Sequence, residues 1–169
     1  MDNIKLRPLR SSDAAQIAKL ANNKKIWDNQ KDMNPYPYLL KDAENLIDLA
    51  AKQTSKYTFG IIVNEDVLCG VMGLSILKDV YRQTGEIGFW LGEQFWGKGI
   101  ATKVIQLITE YGFEKHGLER IQASVFDFNI VSMKALEKNG FKKEGVFRNS
   151  VIKNNIICDE HKYAKLKNE

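Results

Sequence analysis

A helix flanked by two predicted strands constrains the fold of this chain more than any other feature. Residues 84–91 and 120–126 alternate apolar and polar side chains as strands do, and residues 97–116 between them carry apolar side chains at helical spacing. A strand, a helix and a second strand in this order form a crossover, which pairs the two strands in parallel. The sequence therefore predicts one parallel strand pair connected by a long helix.

The rest of the chain predicts antiparallel strands and shorter helices. Alternation predicts further strands at residues 4–9, 57–63, 67–77, 145–153 and 156–166. Periodicity predicts further helices after a capping pair of Asp13 and Gln16, at about 41–52 and at 130–138. This order predicts an α+β fold, with residues 1–169 forming a single domain whose central mixed, mostly antiparallel sheet is flanked by helices.

Length and composition exclude several classes of protein. The 169 residues, 44% of them hydrophobic, suffice for one domain with a sizeable core. No run approaches the roughly 20 apolar residues of a membrane span, and the first residues lack a signal-peptide profile, so we expect a cytoplasmic protein without a membrane partner. The net charge of +4 is too small to predict nucleic-acid binding.

The spacing of cysteine and histidine predicts no metal site and no disulfide framework. Cys69 and Cys158 lie far apart without a Cys-x-x-Cys motif, and only His116 and His161 accompany them. One local excess of positive charge is visible, and it is interpreted either as ordinary solvated surface or as a binding strip for a small polyanion. Its residues are Lys134, Lys138, Lys142, Lys143 and Arg148.

The segment that joins the first of the two parallel strands to the long helix has the composition of an anion-binding loop. Gly97 and Gly99 have no side chain to keep an anion from the free amides of the first helical turn, and Lys98 adds a positive charge. The glycines could serve the turn alone, a P-loop, or a Gln-x-x-Gly-x-Gly loop that starts at Gln94. The P-loop pattern, which would start at Gly92, fails at Gly99, where a Ser or Thr should bind magnesium.

With Gln94, Gly97 and Gly99 placed after a strand that contains Glu86, the chain resembles the GNAT superfamily of acetyl-CoA-dependent N-acetyltransferases. Further segments are similar to the RimJ/RimL-type branch, and they occur in the order of that branch over nearly the whole chain. These segments are Leu6-Arg7-Pro8-Leu9, Asp13-Ala14, Pro35-Tyr36-Pro37-Tyr38, Asn129-Ile130-Val131-Ser132, Glu137-Lys138-Asn139-Gly140-Phe141 and Glu144-Gly145. The resemblance implies direct transfer of an acetyl group from acetyl-CoA to a primary amine.

The resemblance also implies how the cosubstrate acetyl-CoA is bound. In the superfamily, loop amides wrap the CoA pyrophosphate, and the two parallel strands splay so that the pantetheine arm pairs with exposed backbone. Because the backbone makes these contacts, side chains such as that of Ile100 could belong to the core instead. The residues implied in cofactor binding are Phe89, Trp90, Leu91, Gln94, Gly97, Lys98, Gly99, Ile100, Ala101, Thr102, Asn129, Ser132 and Lys138.

Two catalytic residues are implied by the same resemblance. Glu86 has the position of a general base that acts on the amine directly or through water, and Ser132 has that of a proton donor to the CoA thiolate. Their alternatives are a strand glutamate paired with a lysine, and a serine of the first helical turn. Asn129 is both a candidate cofactor contact and a predicted N-cap. Leu136 occupies the position of the tyrosine acid of many relatives, so the general acid stays open.

The acceptor is expected to be a primary amine, and the preferred one is the α-amine of a protein or peptide, with a ribosomal protein as one candidate. Deprotonating an α-amine at pH 7.4 costs under about 1 kcal/mol, against roughly 4 for a lysine side chain. A polyamine or an antibiotic amine, a non-catalytic CoA sensor and an interaction module unrelated to CoA are the alternatives. The protein is expected to be a monomer or a homodimer. Aromatic side chains expected near the acceptor, unless they simply pack, are Trp27, Tyr36, Tyr38 and Trp90.

Overall fold

A computed structural model describes residues 3–169, so the first two residues of the expected domain lie outside the described residues. Seven strands form one mixed sheet in the order β1-β2-β3-β4-β5-β7-β6, in which only β4 and β5 are parallel. The strands are β1 (Ile4–Pro8), β2 (Lys56–Val63), β3 (Val67–Ile76), β4 (Thr84–Leu91), β5 (Arg120–Phe126), β6 (Lys142–Lys153) and β7 (Ile156–Leu166). The predicted α+β fold with a mostly antiparallel mixed sheet and one parallel pair is confirmed.

Helices cover both faces of the sheet, in two separate hydrophobic clusters. The helices are α1 (Ala14–Ala21), α2 (Lys24–Trp27), α3 (Leu40–Lys52), α4 (Ile100–Lys115) and α5 (Ile130–Lys138). α4 and α5 pack on one face, and α1 and α3 pack on the other face over β2 and β3. Among residues 3–169, none of the helices could span a lipid bilayer.

The parallel pair is short, because β4 and β5 diverge soon after they begin. Only residues 84–86 of β4 pair with residues 120–122 of β5, although β4 continues to Leu91 and β5 to Phe126. Beyond Glu86 the facing edges of the two strands are separated by a wedge. The predicted splay is thereby confirmed, and the sheet consists of two halves joined by three residue pairs.

Several local predictions were wrong or incomplete. Asp13 does not form a capping pair with Gln16: its carboxylate accepts hydrogen bonds from the Arg7 guanidinium (2.8 and 2.9 Å) and from the Arg10 amide (2.7 Å), while the Gln16 amide donates to the Leu68 carbonyl (3.4 Å). Asp13 does occupy the N-cap position of α1, but its nearly buried carboxylate is satisfied by the ion pair with Arg7 and by the Arg10 amide in the preceding turn, so it caps no amide of α1.

Boundaries also differ from those predicted. The long helix starts three residues later than expected, because the residues before it include two glycines with positive φ that the α-helix does not admit. The four-residue helix α2 was not predicted, since one turn carries no detectable period. β6 begins at residue 142 instead of 145, and a register shift near Gly145 hides its alternation.

Candidate functional site

The loop before α4 presents a row of free backbone amides. Gly97 (φ +71°) and Gly99 (φ +75°) turn the chain through left-handed conformations, and the first helical bond of α4 runs from the Lys103 amide to the Gly99 carbonyl (3.2 Å). Within residues 3–169, no acceptor pairs with the amide N–H groups of residues 97–102. Six consecutive donors at a helix N-terminus, together with the exposed Lys98, form an arrangement suited to an anion.

Side chains near this loop have different roles from its backbone. Ile100 is only 2% exposed and belongs to the core, so its side chain is buried while its amide is free. Gln94 is exposed, and Ala101 and Thr102 are half-buried. The indole N–H of Trp96, a residue not singled out from the sequence, donates to the Leu91 carbonyl (2.8 Å) and fastens the loop to the end of β4.

Glu86 lies at the point where the wedge opens. It is the last residue of β4 that pairs with β5, and its partner there is Gln122, whose side-chain amide donates to a Glu86 carboxylate oxygen (3.1 Å). The half-buried carboxylate keeps a second oxygen free of hydrogen bonds within the described residues. Gln122 was missed in the sequence, although it is the third residue of its strand as Glu86 is of β4, so aligning the two predicted strand starts would have placed them side by side.

The face of the sheet that carries Glu86 is opposite to α4. Ile87 and Leu91 pack in the α4 cluster, whereas Trp90 packs in the α1–α3 cluster, so the alternation of β4 directs Glu86 and Gly88 to the α1–α3 face. The exposed Gly88 has no atom within 4 Å of the position of an added Cβ. Substrate space is therefore available beside the wedge on this face.

Polar and aromatic side chains continue from Glu86 along the same face of β5 and β7. Lys162 of β7 donates to the Ser124 hydroxyl (2.6 Å) and forms an ion pair with Glu160 (2.8 Å). Glu160 is paired in register with Phe126 at the end of β5. Both line a cavity of about 220 Å³, whose lining is completed by Gln30, Lys31, Asp32, Ser150, Val151, Ile152 and Lys153.

The start of α5 separates two candidate roles. The Asn129 side-chain oxygen accepts the amide N–H of Ser132 (3.3 Å), so Asn129 is the N-cap of α5 as predicted. The hydroxyl of the half-buried Ser132 makes no hydrogen bond within the described residues. The exposed Lys138 ends α5 beside Asn139, whose amide donates to the Thr102 carbonyl (3.0 Å) and ties this end of α5 to the first turn of α4.

The tyrosines are engaged elsewhere in the fold. Leu136, at the position of the tyrosine acid, is 2% exposed and part of the core. The Tyr163 hydroxyl donates to Glu137 (2.9 Å), and burial together with this carboxylate raises the pKa of Tyr163 to about 12. Tyr111 packs edge-on against Tyr57 and Phe59, and burial raises its pKa. Burial also raises the pKa of Tyr38, to about 12.

The four aromatic residues expected near an acceptor fall into two groups. Trp27 and Tyr36 stack with ring centroids 5.6 Å apart, and Lys153 from the cavity lining lies 3.3 Å above the Trp27 ring. Tyr38 and Trp90 instead pack in the α1–α3 cluster. Only the first pair is connected to the cavity.

Comparison with known proteins agrees with this geometry. A family model described as the acetyltransferase (GNAT) domain matches residues 3–142. The probable N-acetyltransferase YjcK of Bacillus subtilis (strain 168) is 33% identical over 172 residues, which cover 98% of this chain and 94% of that protein.

Solved structures share the fold at lower sequence identity. The ribosomal-protein-S5-alanine acetyltransferase from Vibrio fischeri superposes with a TM-score of 0.86 at 21% identity, covering 100% of this chain and 96% of that one. The spermidine N-acetyltransferase from Vibrio cholerae in complex with CoA and spermine gives a TM-score of 0.85 at 22% identity, with coverages of 98% and 96%. Taken with the family match and the parallel strands that open into a wedge, these findings show that the chain belongs to the GNAT superfamily and is an N-acetyltransferase that uses acetyl-CoA.

Proposed function

We propose that this enzyme is of the RimJ/RimL type and acetylates the α-amine of a protein or peptide N-terminus, with a ribosomal protein as a candidate substrate. The observation that carries the proposal is the position of Glu86, where the wedge between β4 and β5 opens toward a polar face. The catalytic unit is proposed to comprise residues 1–169, because β6 and β7, which lie almost wholly beyond the matched residues 3–142, complete the same sheet. Newly made proteins as acceptors are in keeping with the expected cytoplasmic location.

Acetyl-CoA is proposed to bind with its pyrophosphate on the free amides of residues 97–102 and its pantetheine arm in the wedge. Lys98 and Lys138 supply positive charge near the phosphates, and Asn129 and Ser132 approach the thioester end of the arm. The proposed cofactor contacts are Phe89, Trp90, Leu91, Gln94, Gly97, Lys98, Gly99, Ile100, Ala101, Thr102, Asn129, Ser132 and Lys138. No magnesium is required, since amides and not a hydroxyl-bound metal hold the anion.

The proposed chemistry divides proton transfer between two side chains. Glu86 accepts the proton of the acceptor ammonium, directly or through water, and the neutral nitrogen attacks the thioester carbonyl carbon to form a zwitterionic tetrahedral intermediate. As its C–S bond breaks, Ser132 donates a proton to the departing CoA thiolate, and the proton that the acceptor nitrogen loses returns to the Ser132 oxygen through water, so that the amide and the CoA thiol are released. Since the Asn129 side chain already caps α5, the Ser132 hydroxyl is free for this task.

The charges beside the wedge favour an N-terminal amine over a polyamine. Three carboxylates lie on or near this face, those of Glu86, Glu160 and Asp32. Glu160 is paired with Lys162 and Asp32 with Lys153, and the exposed Lys31 lies in the same lining, so the formal charges cancel. A polyamine with several positive charges needs a net negative channel, whereas a peptide bearing a single α-amine does not.

A direct comparison of acceptors tests the proposal. Acetyl-CoA is mixed either with spermidine or with a hexapeptide amide that begins with alanine and continues with glycine and serine. Release of the CoA thiol is followed with and without EDTA. The N-acetylated version of the same peptide is the matched control, because it lacks only the free amine. We expect transfer to the free peptide, unaffected by EDTA. Transfer to spermidine alone would contradict the proposed acceptor, and acetyl-CoA binding without any turnover would favour the sensor alternative.

A further inference from the structure

Lys162 is a half-buried cation beside the proposed active site that the proposed mechanism does not use. Its ammonium donates to the Ser124 hydroxyl (2.6 Å), forms an ion pair with Glu160 (2.8 Å) and lies 5.0 Å from the centroid of the Phe147 ring. The side chains of Lys162 and Glu160 are only 28% and 15% exposed. The ammonium is therefore held on three sides, which fixes its position relative to the Ser124 hydroxyl.

The contact with Lys162 determines how the Ser124 hydroxyl can bind a further group. An ammonium can only donate, so the Ser124 oxygen is the acceptor in this contact and keeps its own proton for another partner. Within residues 3–169, no acceptor takes that proton. A hydroxyl that accepts from a cation is also a stronger donor, because successive hydrogen bonds polarise one another. Ser124 is thus a polarised donor without an acceptor in the described part of the chain.

Ser124 lies next to the point where the wedge opens. Ile121, Ala123 and Val125 of β5 pack in the α4 cluster, so the alternation of this strand places Gln122 and Ser124 on the opposite face, which also carries Glu86. The step from Gln122 to Ser124 is about 7 Å along the strand. Continuing the register of the pair Glu86 and Gln122 places the exposed Gly88 across the wedge from Ser124. This part of the wedge therefore carries a hydroxyl on β5 and no side chain on β4.

The proposed reaction needs a hydrogen-bond donor in this part of the wedge. The amine that loses its proton to Glu86 attacks the thioester carbonyl, so this carbonyl has to lie close to Glu86 and inside the wedge that holds the arm. On attack the carbonyl oxygen becomes an oxyanion, which enzymes stabilise with donors that are already in place. The Gln122 amide is bound to Glu86, which leaves the Ser124 hydroxyl as the next side-chain donor along β5 to accompany the backbone amides of the wedge.

We infer that the Ser124 hydroxyl donates a hydrogen bond to the thioester carbonyl oxygen and to the oxyanion formed from it, and that Lys162 is the positioning residue that orients and polarises this hydroxyl. The inference rests on the proposed function, since it takes Glu86 as the base and the wedge as the site of the arm. Ser124 keeps its proton throughout, while the oxygen gains negative charge on attack and loses it when the C–S bond breaks. Glu160 compensates the charge of Lys162, so the cation does not repel the acceptor ammonium.

Kinetics with several acceptors provide the first test. The probes are the hexapeptide amide, alaninamide and spermidine, at saturating acetyl-CoA. Ser124→Ala should lower kcat about a hundredfold and leave the KM of the acceptor within about twofold. The loss should be the same for every acceptor that the enzyme uses, because the thioester is common to all of them. Lys162→Met should lower kcat about tenfold, Lys162→Arg should retain most of the activity, and Ser12→Ala, at an exposed serine, is the control.

The thioester carbonyl gives a second readout, which needs no turnover. A hydrogen bond from Ser124 weakens the C=O bond, so the infrared stretch of isotope-labelled acetyl-CoA bound to the enzyme should move to higher frequency in Ser124→Ala. Melting temperature and the Kd of acetyl-CoA, measured on the same preparation, should stay as in the unmodified enzyme. If Lys162→Met does not fold because Glu160 is left unpaired, the double variant Lys162→Met/Glu160→Gln removes both charges and takes its place.

The outcomes separate this inference from the proposed function. Unchanged kcat in Ser124→Ala, a loss confined to the KM of one acceptor, or an unchanged carbonyl frequency overturns the role of Ser124 and leaves the proposed function intact. Transfer to spermidine and to neither peptide amine overturns the proposed acceptor, while an equal loss of kcat in Ser124→Ala with spermidine still supports the role of Ser124. Wild-type rates in Glu86→Gln overturn both, because the place of the carbonyl is inferred from that base.

Discussion

At the scale of single residues, Glu86 is distinguished by its place in the sheet. Many glutamates on strands are exposed and paired with lysines, but this one accepts a hydrogen bond from Gln122 and has no lysine partner within the described residues. One oxygen is held by the amide, and the other makes no hydrogen bond within the described residues. A fixed carboxylate with one free oxygen is the geometry that a base requires.

Substituting Glu86 by glutamine should lower turnover by about a hundredfold or more at pH 7 without changing acetyl-CoA affinity. The isosteric amide keeps the hydrogen bond to Gln122 but cannot accept a proton. The loss should shrink as pH rises through the pKa of the acceptor α-amine, near 8, because free amine then forms in solution. Turnover rates of the wild-type enzyme and of the Glu86→Gln variant, measured from pH 6 to pH 10, check this. Glu65→Gln, in the exposed β2–β3 turn, serves as control. Wild-type rates at every pH would exclude Glu86 as the base.

Ser132 and Asn129 provide a matched pair of variants. Since the Asn129 side chain and not the Ser132 hydroxyl caps α5, Asn129→Ala should lower the free energy of unfolding by about 0.5–2 kcal/mol. Ser132→Ala should barely change stability but reduce kcat about ten- to a hundredfold, a modest loss because the CoA thiolate is a tolerable leaving group. Melting temperature and kcat are measured on one preparation. A destabilised but fully active Ser132→Ala enzyme would remove this residue from the mechanism.

At the scale of elements, the loop and α4 show what a sequence can and cannot specify. The glycine spacing predicted an anion site, because the need for free amides and positive φ is local chemistry. The predicted start of α4 was wrong, since the sequence does not reveal that Gly97 and Gly99 adopt positive φ instead of helical angles. The Asp13 side chain was assigned the wrong partner for another reason: Arg7 lies on β1, and the contact depends on how the chain turns between β1 and α1, which helix-capping rules do not describe. Likewise, Gln122 enters the site only through strand pairing.

Two glycines allow a controlled test of the loop. Gly99 and Gly117 both have positive φ (+75° and +60°), and neither has an atom within 4 Å of an added Cβ. Alanine at either position should therefore cost a similar amount of stability, roughly 1–2 kcal/mol, from backbone strain alone. Only Gly99→Ala should also raise the Kd for acetyl-CoA, by about tenfold or more, because its methyl group would lie where we propose that the pyrophosphate binds. Equal affinities in titrations of the two variants would refute the loop assignment.

At the scale of the whole molecule, an ionic network ties the first strand to the rest of the sheet. Arg7 of β1 pairs with Asp13 and with Asp66 in the β2–β3 turn (2.8 Å each), and Arg10 reaches Asp66 as well (2.9 Å). Burial opposes ionisation of Asp13, but hydrogen bonds from Arg7 and the Arg10 amide outweigh it and lower the pKa of Asp13. The network therefore stabilises the fold only while these carboxylates are charged.

Acidification should reveal this contribution. A carboxyl group whose pKa is lower in the folded state stabilises the fold above its ordinary value near 3.9, and the gain disappears as pH falls through the folded pKa. Asp13→Asn should lower the free energy of unfolding by about 2 kcal/mol at pH 7, less than for a fully buried pair because Arg7 keeps Asp66. Urea titrations should show this difference narrowing below pH 4, with Asp48→Asn as an exposed control. A constant difference would contradict the assignment.

Inhibition by the product CoA should depend on the wedge between β4 and β5, where the two halves of the sheet meet in only three residue pairs. The pantetheine arm is common to acetyl-CoA and CoA, so the contacts proposed for it in the wedge would stabilise substrate and product alike. We expect the inhibition constant of CoA to lie within about threefold of the Kd of acetyl-CoA. A CoA affinity more than about tenfold weaker would indicate that the acetyl group, and not the arm, supplies most of the binding.

If the pantetheine arm binds in the wedge as proposed, the cosubstrate also becomes a structural part of the protein. Beyond Glu86 the facing edges of β4 and β5 are not paired with each other, and the CoA arm has amide groups that suit these free backbone groups. Without the cosubstrate, the sheet should then be least stable between β4 and β5. Each turnover removes the arm from this place and puts it back. Fluctuations in cellular acetyl-CoA and CoA would thus change how firmly the two halves of the molecule are held together, as well as how often they catalyse.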